Sequence, residues 1–179
     1  MSDPQAGADP GLPEGSCGRA LRAFCRCYAI AGALVFVAIV AMSVVSIIGR
    51  KLFASPVPGD VEMLQMCAAF AAAGFFAWCH LSGGDVKVDF FTVRLAPRQV
   101  HRLDALGSLL VALFGALIAW RSAAGALVVR EAGERSMLLD WPLWLPQMAM
   151  VPGFALLALA GAYRAWQHLV AARSAEVGP

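Results

Sequence analysis

The sequence predicts an all-α integral membrane protein: four transmembrane helices with a short amphipathic cytoplasmic segment between the second and third. Three observations predict it. Four apolar stretches, residues 27–48, 63–81, 105–129 and 141–163, are each long enough, or nearly so, for a spanning helix, which needs about 20 residues. Three of them hold no Asp, Glu, Lys or Arg, and the other holds only Arg121. Apolar residues make up 60% of the chain and charged residues 15%, against about 45–50% and about 25% in soluble domains. The formal charge of +2 is too small to suggest nucleic acid as a partner.

Residues 1–18 are rich in Pro, Gly and Asp without apolar periodicity, and read as a disordered cytoplasmic tail. The membrane domain follows over 19–173, leaving 174–179 as a C-terminal tail. The first helix is expected over about 25–48. It starts late, exceeds a signal-peptide core in length and lacks a small-residue cleavage site, so it reads as a retained span. The second helix is expected over about 61–81, with Gly83 and Gly84 supplying the backbone freedom of a helix exit. After it, Val86, Val88 and Phe90 alternate with Lys87 and Asp89, which suggests a short extended stretch.

Pro97 suits the first turn of a new helix. There Val100, Leu103 and Leu106 share one face, and Arg98, His101 and Arg102 line another. Such a basic amphipathic segment either lies on headgroups, docks a partner or simply leads into the third helix. That helix is expected over about 103–125, ending at Arg121 or continuing to Val129. If it continues, Arg121 needs a partner or must snorkel. Glu62, at the start of the second helix, is the nearest plausible carboxylate, which gives an expected Arg121–Glu62 pair. The fourth helix, about 142–165, carries Pro152 and Gly153 near its middle, where Pro removes a backbone hydrogen bond and bends the helix. Small residues such as Ala68, Ala69, Gly74, Gly107 and Gly115 permit close helix contacts in lipid.

Orientation follows from the basic residues of the short loops. Nine fall on one side: Arg19, Arg22, Arg26, Lys87, Arg94, Arg98, Arg102, Arg164 and Arg173. Four fall on the other: Arg50, Lys51, Arg130 and Arg135. Both termini and the second loop are therefore expected in the cytoplasm. Trp141 and Trp144 at one boundary, and Trp78, Tyr163 and Trp166 at the other, suit interfacial anchors.

Catalytic and cofactor signatures are missing from the sequence. Cys17, Cys25, Cys27, Cys67 and Cys79 all avoid the first and third loops, so no outward disulfide chemistry is available. Cys25 and Cys27 lack a second pair of metal ligands and read as small apolar residues. His80, His101 and His168 sit near span ends, which argues against paired axial haem ligands within a bundle. There is no phosphate loop, no nucleophile elbow and no pair of intramembrane acids for an ion relay. No enzyme activity, cofactor or metal is expected, and an accessory or assembly subunit is the most economical reading.

Three regions resemble the DctQ-type small membrane subunit of tripartite ATP-independent periplasmic (TRAP) transporters. Residues 44–63, VVSIIGRKLFASPVPGDVEM, are similar to the family's end of helix one, Pro-x-Pro turn and acidic start of helix two. Residues 83–98, GGDVKVDFFTVRLAPR, resemble its Gly-rich turn, Val-Asp step and Leu-x-Pro-Arg. Residues 136–157, SMLLDWPLWLPQMAMVPGFALL, look like its Pro-x-Trp start and Pro-Gly last helix. The chain departs from the family at Gly59–Glu62, where Trp and two adjacent acids are usual, and at Asp85, often His.

The resemblance implies a small permease subunit of a sodium-coupled transporter for an organic acid, in the bacterial inner membrane. It implies three partners: a large permease subunit that carries substrate and ions, a periplasmic binding protein, and membrane lipid. By likeness, Arg50 and Glu62 lie near the outer face, where the binding protein docks, and Gly84, Asp89 and Pro97 shape the cytoplasmic turn. Arg121, Pro152 and Gly153 complete the candidate interface or structural residues. The alternative is an unrelated four-helix membrane scaffold, or a small enzyme working at the membrane surface.

Overall fold

The computed structural model describes residues 16–53, 57–85 and 97–177, and side chains at all of these but 17, 97, 98 and 174–177. Four helices account for most of them: α1 (Ser16–Phe53), α2 (Asp60–Ser82), α3 (Pro97–Glu131) and α4 (Trp144–Val177). Each contains a stretch long and apolar enough to cross a bilayer. The expected extended stretch at 86–90, with Asp89, lies outside the described residues.

Three of the helices outrun their apolar cores. α1 has 38 residues, α3 has 35 and α4 has 34. At 1.5 Å per residue, α1 alone is about 57 Å long, well beyond a hydrocarbon layer of about 30 Å. Helices of that length must tilt or project into the headgroups. Hydropathy marks only the part that suits lipid, whereas the backbone continues wherever good helix formers follow. Thus α1 begins at Ser16, inside the stretch expected to be a tail, and runs through Leu21, Arg22 and Ala23. α3 starts at Pro97, so the basic stretch after it forms the helix's own first turns. Within it Leu103 and Leu106 are exposed, while His101 and Asp104 are half-buried and Ala105 and Ser108 are buried. The packed side of that segment carries His101, Asp104, Ala105 and Ser108, not its leucines.

α2 ends in a Schellman turn. Gly83, at φ 71°, donates its N–H to the His80 carbonyl, and Gly84 donates to Cys79. Two backbone carbonyls are satisfied by a left-handed residue that only Gly adopts cheaply. Of the two glycines expected to supply the turn, Gly83 carries the positive φ.

The spatial order is α1, α2, α4, α3. α2 packs on α1 and α4, α1 touches α4 lightly, and α3 packs on α4 alone among the described residues. Small residues set the approach of α3 and α4. A Cβ on Gly161 would meet the Ala112 nitrogen at 2.7 Å, and one on Gly115 would meet the Ala158 nitrogen at 2.9 Å. The main buried cluster, Cys25, Ala77, Leu81, Leu157 and Ala160, joins α1, α2 and α4. The remaining faces of α1 and α3 are oily and not covered by other described residues, with Leu34, Val37, Val45, Leu113, Leu117 and Trp120 all exposed.

Candidate functional site

Ionisable groups gather at the two ends of the molecule. The loop end carries the α1–α2 and α3–α4 connections; the terminal end carries the start of α1, the end of α2, the start of α3 and the end of α4.

At the loop end, two carboxylates in the first turn of α2 each hold a different neighbour. Acids there also favour the positive end of the helix dipole. Asp60 Oδ2 accepts from Ser46 Oγ at 2.6 Å and from Arg50 Nη2 at 3.3 Å. Ser46 and Arg50 are one helical turn apart, on one face of α1. Ser46 is fully buried and its oxygen also accepts from the Val57 N–H, so one hydroxyl ties helix, loop and helix together. Glu62 reaches the other way. Its carboxylate accepts from the Ser136 hydroxyl and from the Leu138 N–H. Ser136 Oγ in turn accepts from the Leu139 N–H.

The α3–α4 loop is thereby closed into a tight structure. Ser136 N–H donates to the Trp141 carbonyl at 2.8 Å, and Arg135 pairs with Asp140 at 2.9 Å. Asp140 takes a left-handed backbone, φ 54°, a conformation Asp tolerates better than most residues. The Leu139 side chain lies against Gly59. At the tip, Met137, Leu138 and Trp141 are exposed, Met137 almost wholly at 97%. Beneath it lies a cavity of about 390 Å³ lined by Glu62, Gln65, Met66, Arg135, Ser136 and Met150.

The two clasps differ in expected strength. Ser46→Ala removes a fully buried hydroxyl that donates to Asp60 and accepts from the Val57 N–H, and losing such a group costs about 1–3 kcal/mol. Arg50 has a side chain 59% exposed, and pairs of that kind contribute about 1 kcal/mol or less. Thermal unfolding in detergent should therefore fall clearly for Ser46→Ala and hardly for Arg50→Ala. Equal losses would refute this ranking.

At the centre of the molecule, Pro152 is exposed and Gly153 is buried. A Cβ on Gly153 would stand 2.6 Å from Ala73 Cβ and 2.9 Å from the Tyr28 ring. Tyr28 donates its hydroxyl to the Ala149 carbonyl at 2.6 Å, within the turn that Pro152 loosens. Gly153 is thus the point where α1, α2 and α4 meet.

At the terminal end, His80 Nδ1 lies 2.5 Å from Asp85 Oδ2, and Arg164 donates to the Leu81 carbonyl at 3.4 Å. These contacts bind the α2 exit to its own turn and to α4. Arg19, Arg22, Arg26 and Trp78 line a separate cavity of about 510 Å³ between α1 and α2.

The family model for "Tripartite ATP-independent periplasmic transporters, DctQ component" matches residues 39–171. The chain belongs to the DctQ family. The matched stretch of this DctQ protein runs from mid α1 to late α4 and takes in both loop-end clasps and the His80–Asp85 turn. Searches of curated proteins and of solved structures give no match. DctQ is a family of transporter components and not a family of enzymes.

The residues singled out in the DctQ sequence are placed as follows. Arg50 and Glu62 sit together at the loop end but hold different partners, Asp60 and the third loop. Gly84 closes the α2 cap, Pro97 is the first residue of α3, and Asp89 lies outside the described residues. Arg121 corrects an expectation. α3 continues to Glu131, Arg121 is exposed on it, and no Arg121–Glu62 pair forms. The reason is topological: among the described residues α3 packs on α4 and not on α2, while the Glu62 carboxylate is taken by Ser136 and Leu138.

Sequence reasoning missed Ser46, Asp60 and Ser136. The Ser46–Arg50 spacing and the acid opening α2 were visible signals; that Ser136 answers Glu62 was not, because the two are far apart in the chain. The stacking of Arg130 over the Trp144 ring, 5.3 Å from its centre, was likewise hidden.

Proposed function

We propose that this chain is the small permease subunit of a sodium-coupled TRAP transporter for an organic acid. In this reading it binds the large transport subunit, widens that subunit's immobile scaffold, and helps to seat the periplasmic binding protein. Both termini lie in the cytoplasm of a bacterial inner-membrane protein, and the loop end faces the periplasm.

One observation carries the reading. The described helices concentrate their ionic contacts at the two ends and leave long, oily faces on α1 and α3 that none of the other described residues covers. A solute or sodium pathway needs inward-facing polar groups at mid-depth; this arrangement offers surface instead. Arg121 adds to the argument. It is exposed on α3 about 15 Å from the loop end of that helix, at 1.5 Å per residue. A cation at such a depth is best served by a partner's carboxylate or carbonyl, or by snorkelling. The exposed Met137–Leu138–Trp141 tip, braced by Glu62, supports a periplasmic docking role.

Co-expression with a large TRAP permease subunit tests the reading. The two polypeptides should co-elute in detergent, and deletion of the small one should abolish uptake by vesicles supplied with sodium and binding protein. Separate elution, or full uptake without this chain, would overturn the scaffold role; solute movement by this chain alone in liposomes would do so as well.

A further inference from the structure

We infer that the terminal end of α3 and α4 forms a transition-metal site, His101–Asp104–His168, suited to one Zn²⁺ per chain. His101 and Asp104 are one turn apart on α3, and such spacing puts both on one face. His168 meets them from α4 and is buried, 4% exposed. One ligand atom from each of the three lies within 4.8 Å of the others. The two imidazole rings are 6.0 Å apart, tilted by 32°. His101 Nδ1 is buried and has no hydrogen-bond partner. A buried polar atom without a partner is costly, and a lone pair in that position is what an imidazole offers to a metal. Asp104 and His168 already have partners of their own, so an ion exchanges contacts there instead of making the first ones.

The donor set selects the ion. Two imidazole nitrogens and one carboxylate suit Zn²⁺ and its neighbours in the first transition row, whereas Mg²⁺ and Ca²⁺ prefer oxygen alone. Bonds of about 2.0–2.2 Å place tetrahedral ligands roughly 3.3 Å apart. Rotamer changes in three side chains near helix ends close the remaining distance. Three protein ligands leave one position for water or for a donor from another subunit. The site sits in the first turns of α3, beyond the apolar core of the span, so an ion reaches it from solvent. Its effect follows from the fold. α3 is held by α4 alone among the described residues, and a bound ion ties the two together at the end away from their closed loop.

The test uses full-length chain purified in detergent without a polyhistidine tag, stripped with chelator and titrated with ZnCl₂. We expect one Zn²⁺ per chain by mass spectrometry and a rise in Tm on binding. His101→Ala and His168→Ala should each weaken binding by more than the roughly 10–100-fold that losing an outer-shell partner costs. Cys27→Ser, which removes an exposed thiol, should bind as the parent does. Because a helix-end variant can fold poorly, Co²⁺ loaded into the unaltered chain gives an independent readout: intense visible d–d bands of low-coordinate cobalt. Sub-stoichiometric Zn²⁺ in the parent, weak octahedral-type cobalt bands, or binding that survives in the His101→Ala/His168→Ala double variant would each overturn the site.

Discussion

Gly161→Leu is expected to detach α3 from the rest of the molecule. A Cβ at Gly161 would lie 2.7 Å from the Ala112 nitrogen, 2.8 Å from the Ser108 carbonyl oxygen and 3.0 Å from Ala112 Cα. All three are backbone atoms of α3, so no side chain can swing away; the helices themselves must separate. In lipid there is no hydrophobic force to hold separated helices together, and association depends on close packing of small residues. α3 has no second packing partner among the described residues. Overpacking an ordinary core costs about 1–3 kcal/mol; here the whole α3–α4 contact is at stake, since Gly115 repeats the geometry against Ala158 and Phe154 on α4. Gly161→Ala should give an intermediate loss. The measurement is thermal unfolding in detergent, together with protease cleavage of the α3–α4 loop, which should quicken in step. A Gly161→Leu protein that melts with the parent would show that α3 is held by something other than this seam.

Gly161 also marks the boundary of what the sequence reveals. Four apolar runs were enough to predict four spans, because lipid imposes its own length on the residues that meet it. Gly115 stood out as a small residue and packs closely, whereas Gly107 stood out equally and has nothing near it. The difference is which side of α3 faces α4, and no local pattern encodes that when the lipid-facing side is as apolar as the packed one. The Arg121–Glu62 expectation failed for a related reason. The charges are opposite, but among the described residues α4 stands between α2 and α3. His101 and His168 were visible as residues near span ends, Asp104 was not singled out, and only the pairing of α3 with α4 brings the three together. Conversely, the acidic start of α2 was legible, since Asp and Glu in a first turn follow from helix electrostatics alone. What the sequence left open was which loop each acid would hold.

That division of partners makes Glu62→Ala the second large effect. Asp60 holds the first loop to α1, but Glu62 alone links α2 to the α3–α4 loop by charge. Removing the carboxylate strips an acceptor from the buried Ser136 hydroxyl and from the Leu138 N–H at once. Of the two donors only the Ser136 hydroxyl is buried, and leaving it without this acceptor costs about 1–3 kcal/mol. Glu62→Gln should be nearly as harmful, because one of its two side-chain atoms becomes a donor and faces a site built from donors. The loop keeps its internal bonds, Ser136 to Trp141 and Arg135 to Asp140, so it should swing as a unit without unravelling. On the proposed docking role, such a loop still inserts normally yet presents Met137 and Leu138 at the wrong place. The expected result is therefore a lower Tm and reduced uptake at normal levels of assembled complex. Adding excess binding protein should restore part of the rate. If uptake falls only because the large subunit no longer co-purifies, the loop end serves assembly and the docking role is lost; if Ser136→Ala reproduces Glu62→Ala, the clasp is confirmed as the cause.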